Sequence, residues 1–156
     1  MSKRVLFVCS GNIFRSVIAE YCLKKFIKDN HIKGWEVSSA GTSEIASLKH
    51  PYLVNKMIDM GMGEVIHHKR RELLREYLEN NDFVIAMAKY HKDFIMEKYG
   101  NESVSLFTNL VGDVFDDVYD IGDLPGDTRT ANEVIDDTVN YICTRTPRLF
   151  EVLNKL

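Results

Sequence analysis

Long apolar runs are missing from this chain of 156 residues: nothing approaches the ~18 that a membrane span needs. The apolar segment Val5–Cys9, which follows Met1-Ser2-Lys3-Arg4, is too short for a signal sequence and runs into Ser-Gly-Asn where a cleavage site would stand. A cytoplasmic location with no membrane partner is expected. Positive charge is not in surplus either. Twenty Lys and Arg face 23 Asp and Glu for a net charge of -3, so no nucleic-acid partner is expected and any anion site must be local. Cysteine is scarce: Cys9, Cys22 and Cys143 are odd in number, widely spaced and free of any Cys-x-x-Cys pair. A disulfide framework and a zinc site are therefore not expected. The five histidines, His31, His50, His67, His68 and His91, show no ligand spacing and read as surface or loop residues, so neither a metal nor a cofactor is expected. Lys69-Arg70-Arg71 reads as the solvated start of a helix. Repeats, low-complexity stretches and linkers are also missing. With 45% hydrophobic and 28% charged residues, the chain has the make-up of one ordinary globular domain over 1–156.

What is present alternates between two periodicities. Arg4–Cys9, Gly34–Gly41, Asp82–Met87 and Ser103–Phe107 are short β-branched or aromatic runs that predict four strands. Helices are predicted from Ser16, over Tyr52–Met60, over Arg71–Leu78, over His91–Tyr99 and from about Ala131, with Pro147 ending or kinking the last one. Cys22 and Cys143 fall on apolar helical faces and read as core thiols. Strands alternating with helices predict an α/β single-domain three-layer fold around a four-stranded parallel sheet, of flavodoxin-like topology. Ligands in such folds bind at the carboxyl ends of strands, beside a topological switch point. The turn after the first strand is such a place. The acidic stretch Asp113–Asp127, with Gly122, Pro125 and Gly126, has no period and reads as a functional loop.

Cys9-Ser10-Gly11-Asn12-Ile13-Phe14-Arg15-Ser16 places a cysteine at the end of the first strand and Arg-Ser where the first helix begins. A loop closing onto a helix N-terminus turns unpaired backbone N–H groups inward and makes a nest of phosphate size, built from Ser10, Gly11, Asn12, Ile13 and Phe14. Cys9 sits at its base, where those N–H groups and the helix dipole favour thiolate over thiol and make it a nucleophile. Gly11 permits close approach, and Asn12 best tolerates a left-handed conformation. Arg15 offers a planar fork that can grip two phosphoryl oxygens. The Ser16 hydroxyl can donate to the sulfur.

These residues resemble the signature of the low-molecular-weight protein tyrosine phosphatase family, Cys-x-Gly-Asn-x-Cys-Arg-Ser followed by Ala-Glu, here Cys9-Ser-Gly-Asn-Ile-Phe-Arg-Ser-Val-Ile-Ala-Glu20. Ser39-Ala-Gly-Thr42 is similar to the family's Ser-Ala-Gly-Thr, and Asp120-Ile-Gly-Asp-Leu-Pro-Gly126 to its Asp-Ile-Pro-Asp-Pro-x-Gly. The resemblance implies a metal-free phosphomonoester hydrolase, acting on a phosphotyrosine protein or another phosphomonoester. Cys9 would form a phosphocysteine, Arg15 would bind phosphate, and Asp123 would be general acid and then general base.

The departures leave alternatives open. Asp123 is followed by Leu-Pro and not by Pro, so Asp120 and Asp127 compete for the acid role. The aromatics that follow the acid in many members are missing, and Tyr119, Trp35 or Tyr52 could line the cleft instead. Phe14 replaces the second loop cysteine, so no protecting disulfide to Cys9 is expected. Ile13 stands where relatives acting on phosphoarginine prefer Thr, which favours phosphotyrosine or another phosphomonoester. A sugar-phosphate phosphatase and a non-catalytic phosphate-binding module are the rival readings.

Overall fold

A computed structural model of the chain describes residues 2–44, 49–101, 103–118 and 126–156. Among these, β1 (Lys3–Cys9), β2 (Trp35–Gly41), β3 (Phe83–Ala86) and β4 (Val104–Leu106) form a parallel sheet in the order β2-β1-β3-β4. The sheet is the predicted one. Register runs from Lys3 opposite Trp35 to Cys9 opposite Gly41 on one side of β1, and from Val5 opposite Phe83 on the other. Because side chains alternate along a strand, β1 feeds two cores. Val5, Phe7 and Cys9 face the layer that holds α1 (Arg15–Asp29) and α6 (Ala131–Lys155); Leu6 and Val8 face the opposite layer, with Leu78 and Ile95. Between them lie α2 (Pro51–Asp59), a 3₁₀ turn at Gly63–His67, α3 (Arg75–Glu79), α4 (Lys89–Tyr99) and α5 (Phe107–Leu110).

Three expectations change. The helix predicted over Arg71–Leu78 is only α3, because Arg71–Leu73 lies against the end of β2 with an isolated parallel bridge between Glu72 and Gly41: Gly41 N–H donates to Arg71 O at 2.8 Å and Leu73 N–H to Gly41 O at 2.7 Å. A basic run that reads as solvated is thus a strap along the edge of β2. Next, α6 passes through Pro147 without ending. An interior proline costs about 3 kcal/mol. Burial of Leu149 and Leu153 beyond it returns ~1.5–3 kcal/mol each, enough to carry the helix on. Finally, Cys22 on α1 and Cys143 on α6 are joined as a disulfide with Cα atoms 5.5 Å apart, although sequence spacing gave no sign of it. A sequence separation of 121 hid a pairing that only helix packing creates.

The order β2-β1-β3-β4 puts the switch point between β1 and β3, since the chain leaves β1 toward β2 and leaves β3 toward β4. The loop after β1 and the turn into α4 therefore face each other across one crevice.

Candidate active site

β1 ends at Cys9 and α1 begins at Arg15, so residues 10–14 form the loop between them. Among the described residues, the N–H groups of Gly11, Asn12, Ile13 and Phe14 find no acceptor. They are the donors an anion nest requires. The left-handed residue is Asn12, at φ 54°, and not Gly11. Glycine is needed more at Gly41: a Cβ there would lie 2.5 Å from the Ser10 carbonyl oxygen, so only glycine lets β2 run under the loop.

Hydrogen-bond accounting gives this loop a direction. The Arg71 backbone N–H donates to Asn12 Oδ1 at 3.0 Å, which fixes the amide orientation. Asn12 Nδ2 then donates to Ser16 Oγ at 2.9 Å and to Ser39 Oγ at 2.8 Å. Ser39 passes its hydrogen to buried Glu20 Oε1 at 2.5 Å, and Lys24 pairs with the other carboxylate oxygen. Ser16, which accepts from Asn12, has its own hydrogen available for Cys9 Sγ, 2.9 Å away. In that polarity the hydroxyl donates to the sulfur. Cys9 is 2% exposed and is the free cysteine among the described residues.

Arg15 is buried, with Nη1 donating to Val118 O at 3.0 Å and Nη2 3.5 Å from Ser10 Oγ. Its guanidinium carbon lies 5.7 Å from the ring centre of half-exposed Tyr90. From behind, Arg70 Nε donates to the Gly11 carbonyl at 3.0 Å and Arg70 Nη2 to the Ser43 carbonyl at 2.5 Å. The Lys69-Arg70-Arg71 run thus braces the nest and is not a bare surface patch.

Two histidines correct the surface reading. His68 is buried and donates from Nε2 to the Asn12 carbonyl at 3.1 Å; burial pulls its pKa down, opposed by Glu20. His91 is fully buried, with Nε2 2.9 Å from Ser10 Oγ. Burial and then the Arg15 charge lower its pKa to about 3. Neither shows a sequence signal beyond its position, since burial of a histidine is decided by packing.

The acidic loop is anchored at both described ends. Val118 N–H donates to Met87 O at 2.8 Å, and Lys89 N–H, at the start of α4, donates to Asp117 Oδ1 at 2.7 Å. Asp117 thus caps the N-terminus of α4. On the far side, Arg129 chelates Asp127 and holds its pKa down to about 2. Paired in this way, the Asp127 carboxyl favours its charged form, which makes it a weak candidate for general acid. Asp120, Asp123 and Tyr119 lie outside the described residues. Trp35 stacks between Phe83 and Phe150, and Tyr52 donates to Asp136, so neither lines the cleft beside Cys9. Among the described residues, no cluster of His, Cys, Asp or Glu is arranged to hold a metal ion. No helix there is long and apolar enough to cross a membrane.

Comparison with known proteins meets this geometry. The family model described as low molecular weight phosphotyrosine protein phosphatase matches residues 4–156. A protein-arginine-phosphatase of Geobacillus stearothermophilus is 32% identical over 108 residues, covering 69% of this chain and 70% of that one. A low molecular weight phosphotyrosine protein phosphatase of Pongo abelii is 36% identical over 87 residues, and the match spans only about half of each chain, 55%. The crystal structure of a low molecular weight protein tyrosine phosphatase from T. tengcongensis superposes with a TM-score of 0.80 at 29% identity, covering 96% of this chain and 99% of that one.

Proposed function

The chain belongs to the low molecular weight phosphotyrosine protein phosphatase family, and from that premise we propose a cytoplasmic, single-domain enzyme that hydrolyses phosphoproteins through a phosphocysteine on Cys9. The observation that carries this reading is the directed chain from Arg71 N–H through Asn12 and Ser16 to Cys9 Sγ, at the floor of a loop of unused N–H donors. The thiolate attacks phosphorus and the ester oxygen leaves, taking a proton from Asp123. Water then attacks the phosphocysteine and gives its proton to Asp123, phosphate forms, and the sulfur departs as thiolate. Arg15 and the loop N–H groups hold the three phosphoryl oxygens through both steps. Ser16 steadies the sulfur as attacker and as leaving group.

The substrate is phosphotyrosine. Apolar Ile13 at the cradle and Tyr90 beside Arg15 support it, the latter as the aromatic wall missing after the acid. The likeness to a protein-arginine-phosphatase favours phosphoarginine as the second reading. Hydrolysis of an aryl phosphate in the presence of a chelator is the test. Cys9→Ser and Arg15→Ala abolish turnover, Asp123→Asn slows it ~10²–10⁴-fold, and Asp127→Asn leaves it in place. No turnover by the unaltered chain refutes the enzyme; a preference for phosphoarginine peptides over phosphotyrosine peptides overturns the substrate.

A further inference from the structure

Across the switch-point crevice from the nest stands the turn from β3 into α4, and its side chains enter the site through Ser10. His91 has two neighbours that decide its tautomer. The Ala88 backbone N–H, which can only donate, points at His91 Nδ1 from 3.1 Å, so Nδ1 carries no hydrogen. The hydrogen is therefore on Nε2, and the 2.9 Å contact to Ser10 is His91 donating to Ser10 Oγ. The ring is fully buried and stays neutral far below neutral pH. Its donor direction does not reverse. Ser10 Oγ receives a second donor, Arg15 Nη2, at the longer distance of 3.5 Å. With both of its acceptor positions faced by N–H groups, the Ser10 hydroxyl is left in the donor role. An oxygen gripped by Arg15 Nη2 comes within reach of that hydroxyl, because the two groups are themselves neighbours.

We propose that Ser10 donates its hydroxyl hydrogen to a phosphoryl oxygen of the substrate, and that His91 is the positioning residue that fixes this polarity. This rests on the phosphatase reading and adds to it a side-chain donor, where the nest otherwise offers backbone N–H groups and Arg15. A hydrogen bond to a charged oxygen is worth enough that its loss costs ~10–100-fold in affinity for the dianion.

The test measures aryl phosphate kinetics and, separately, binding of inorganic phosphate by calorimetry. Ser10→Ala should weaken phosphate binding and kcat/KM about 10–100-fold, and Ser10→Thr, which keeps the hydroxyl, should restore most of both. His91→Gln places an amide N–H near the position of Nε2 and should resemble the unaltered enzyme. His91→Asn keeps an acceptor for Ala88, loses the donor to Ser10, and should match Ser10→Ala. The double variant Ser10→Ala/His91→Asn should be no worse than Ser10→Ala alone, because His91 acts through Ser10. Equal behaviour of Gln and Asn at 91, additive losses in the double variant, or unchanged phosphate affinity in Ser10→Ala overturns the proposal while turnover by the unaltered enzyme keeps the phosphatase reading. Absence of turnover removes that reading instead, and the phosphate-binding series still decides what Ser10 and His91 do.

Discussion

Reducing the Cys22–Cys143 disulfide should lower the melting temperature without changing the fold. The bridge joins residues 121 apart, so it removes a large loop from the freedom of the unfolded chain. Loop-closure entropy for that separation gives about 5 kcal/mol, and removal of comparable bridges costs ~2–5 kcal/mol. For a domain of this size each kcal/mol moves the midpoint by ~2–4 °C, which places the shift at about 5–15 °C. Comparing oxidised and reduced forms of the same chain avoids the cavity that a substitution would leave. Cys143 is half-buried, so a small phosphine can reach the bridge. The assay is thermal unfolding followed by circular dichroism with and without the reductant, alongside thiol titration in denaturant. One titratable thiol, Cys9, is expected in the oxidised chain and three in the reduced chain. Three thiols in the air-exposed protein, or coincident melting curves after confirmed reduction, would refute the reasoning. Phosphatase activity should survive reduction, because neither cysteine touches the nest.

Other outcomes follow from the site. Ser16→Ala removes the hydroxyl that faces Cys9 and should lower kcat ~10–100-fold while leaving phosphate affinity nearly unchanged; an equal loss in binding would show that Ser16 supports the loop and not the sulfur. Gly41→Ala forces a methyl group to within 2.5 Å of the Ser10 carbonyl, so the loop must shift. A stability loss of ~1–3 kcal/mol in urea unfolding and a larger fractional loss in kcat/KM are expected, and an alanine variant of normal activity would contradict the close approach. His91 is held neutral to about 3 in the folded chain against an ordinary value near 6.5. Below 6.5 the unfolded chain takes up a proton that the folded chain refuses, so stability is full above that pH and falls beneath it by up to ~1.4 kcal/mol per pH unit. Buried His68 pulls in the same direction, so the slope should diminish but not vanish in His91→Gln. An unchanged slope in that variant would remove His91 as its source.

Much of this is legible in the sequence. The unbroken apolar run at Val5–Cys9 marks a strand covered on both faces, and Cys9 to Ser16 carries its own turn, nest and helix start within eight residues. Local sequence could specify these because their interactions are local: period, glycine tolerance, a positive φ at Asn12, a helix dipole. Ser39 itself lies inside the Ser39-Ala-Gly-Thr42 motif. The late loop was recognisable from composition, while its acid is implied by the family pattern alone, Asp123 lying outside the described residues.

Tertiary packing decided what depends on distant partners. Whether a histidine is a surface base or a buried donor follows from what covers it, so His68 and His91 could not be told from His31 or His67 by their neighbours in the chain. The basic run at 69–71 became a brace because Arg71 and Leu73 pair with the backbone of Gly41, which brings Arg70 to the Gly11 and Ser43 carbonyls. Pro147 failed to stop α6 because burial of Leu149 and Leu153 outweighs one missing hydrogen bond. Cys22 and Cys143, unremarkable across 121 residues of sequence, meet because α1 packs on α6. The chain alone determines the Cys9–Ser16 loop and the sheet beneath it; the fold determines the direction in which each hydrogen bond around Cys9 points, since direction depends on which donors three dimensions bring together.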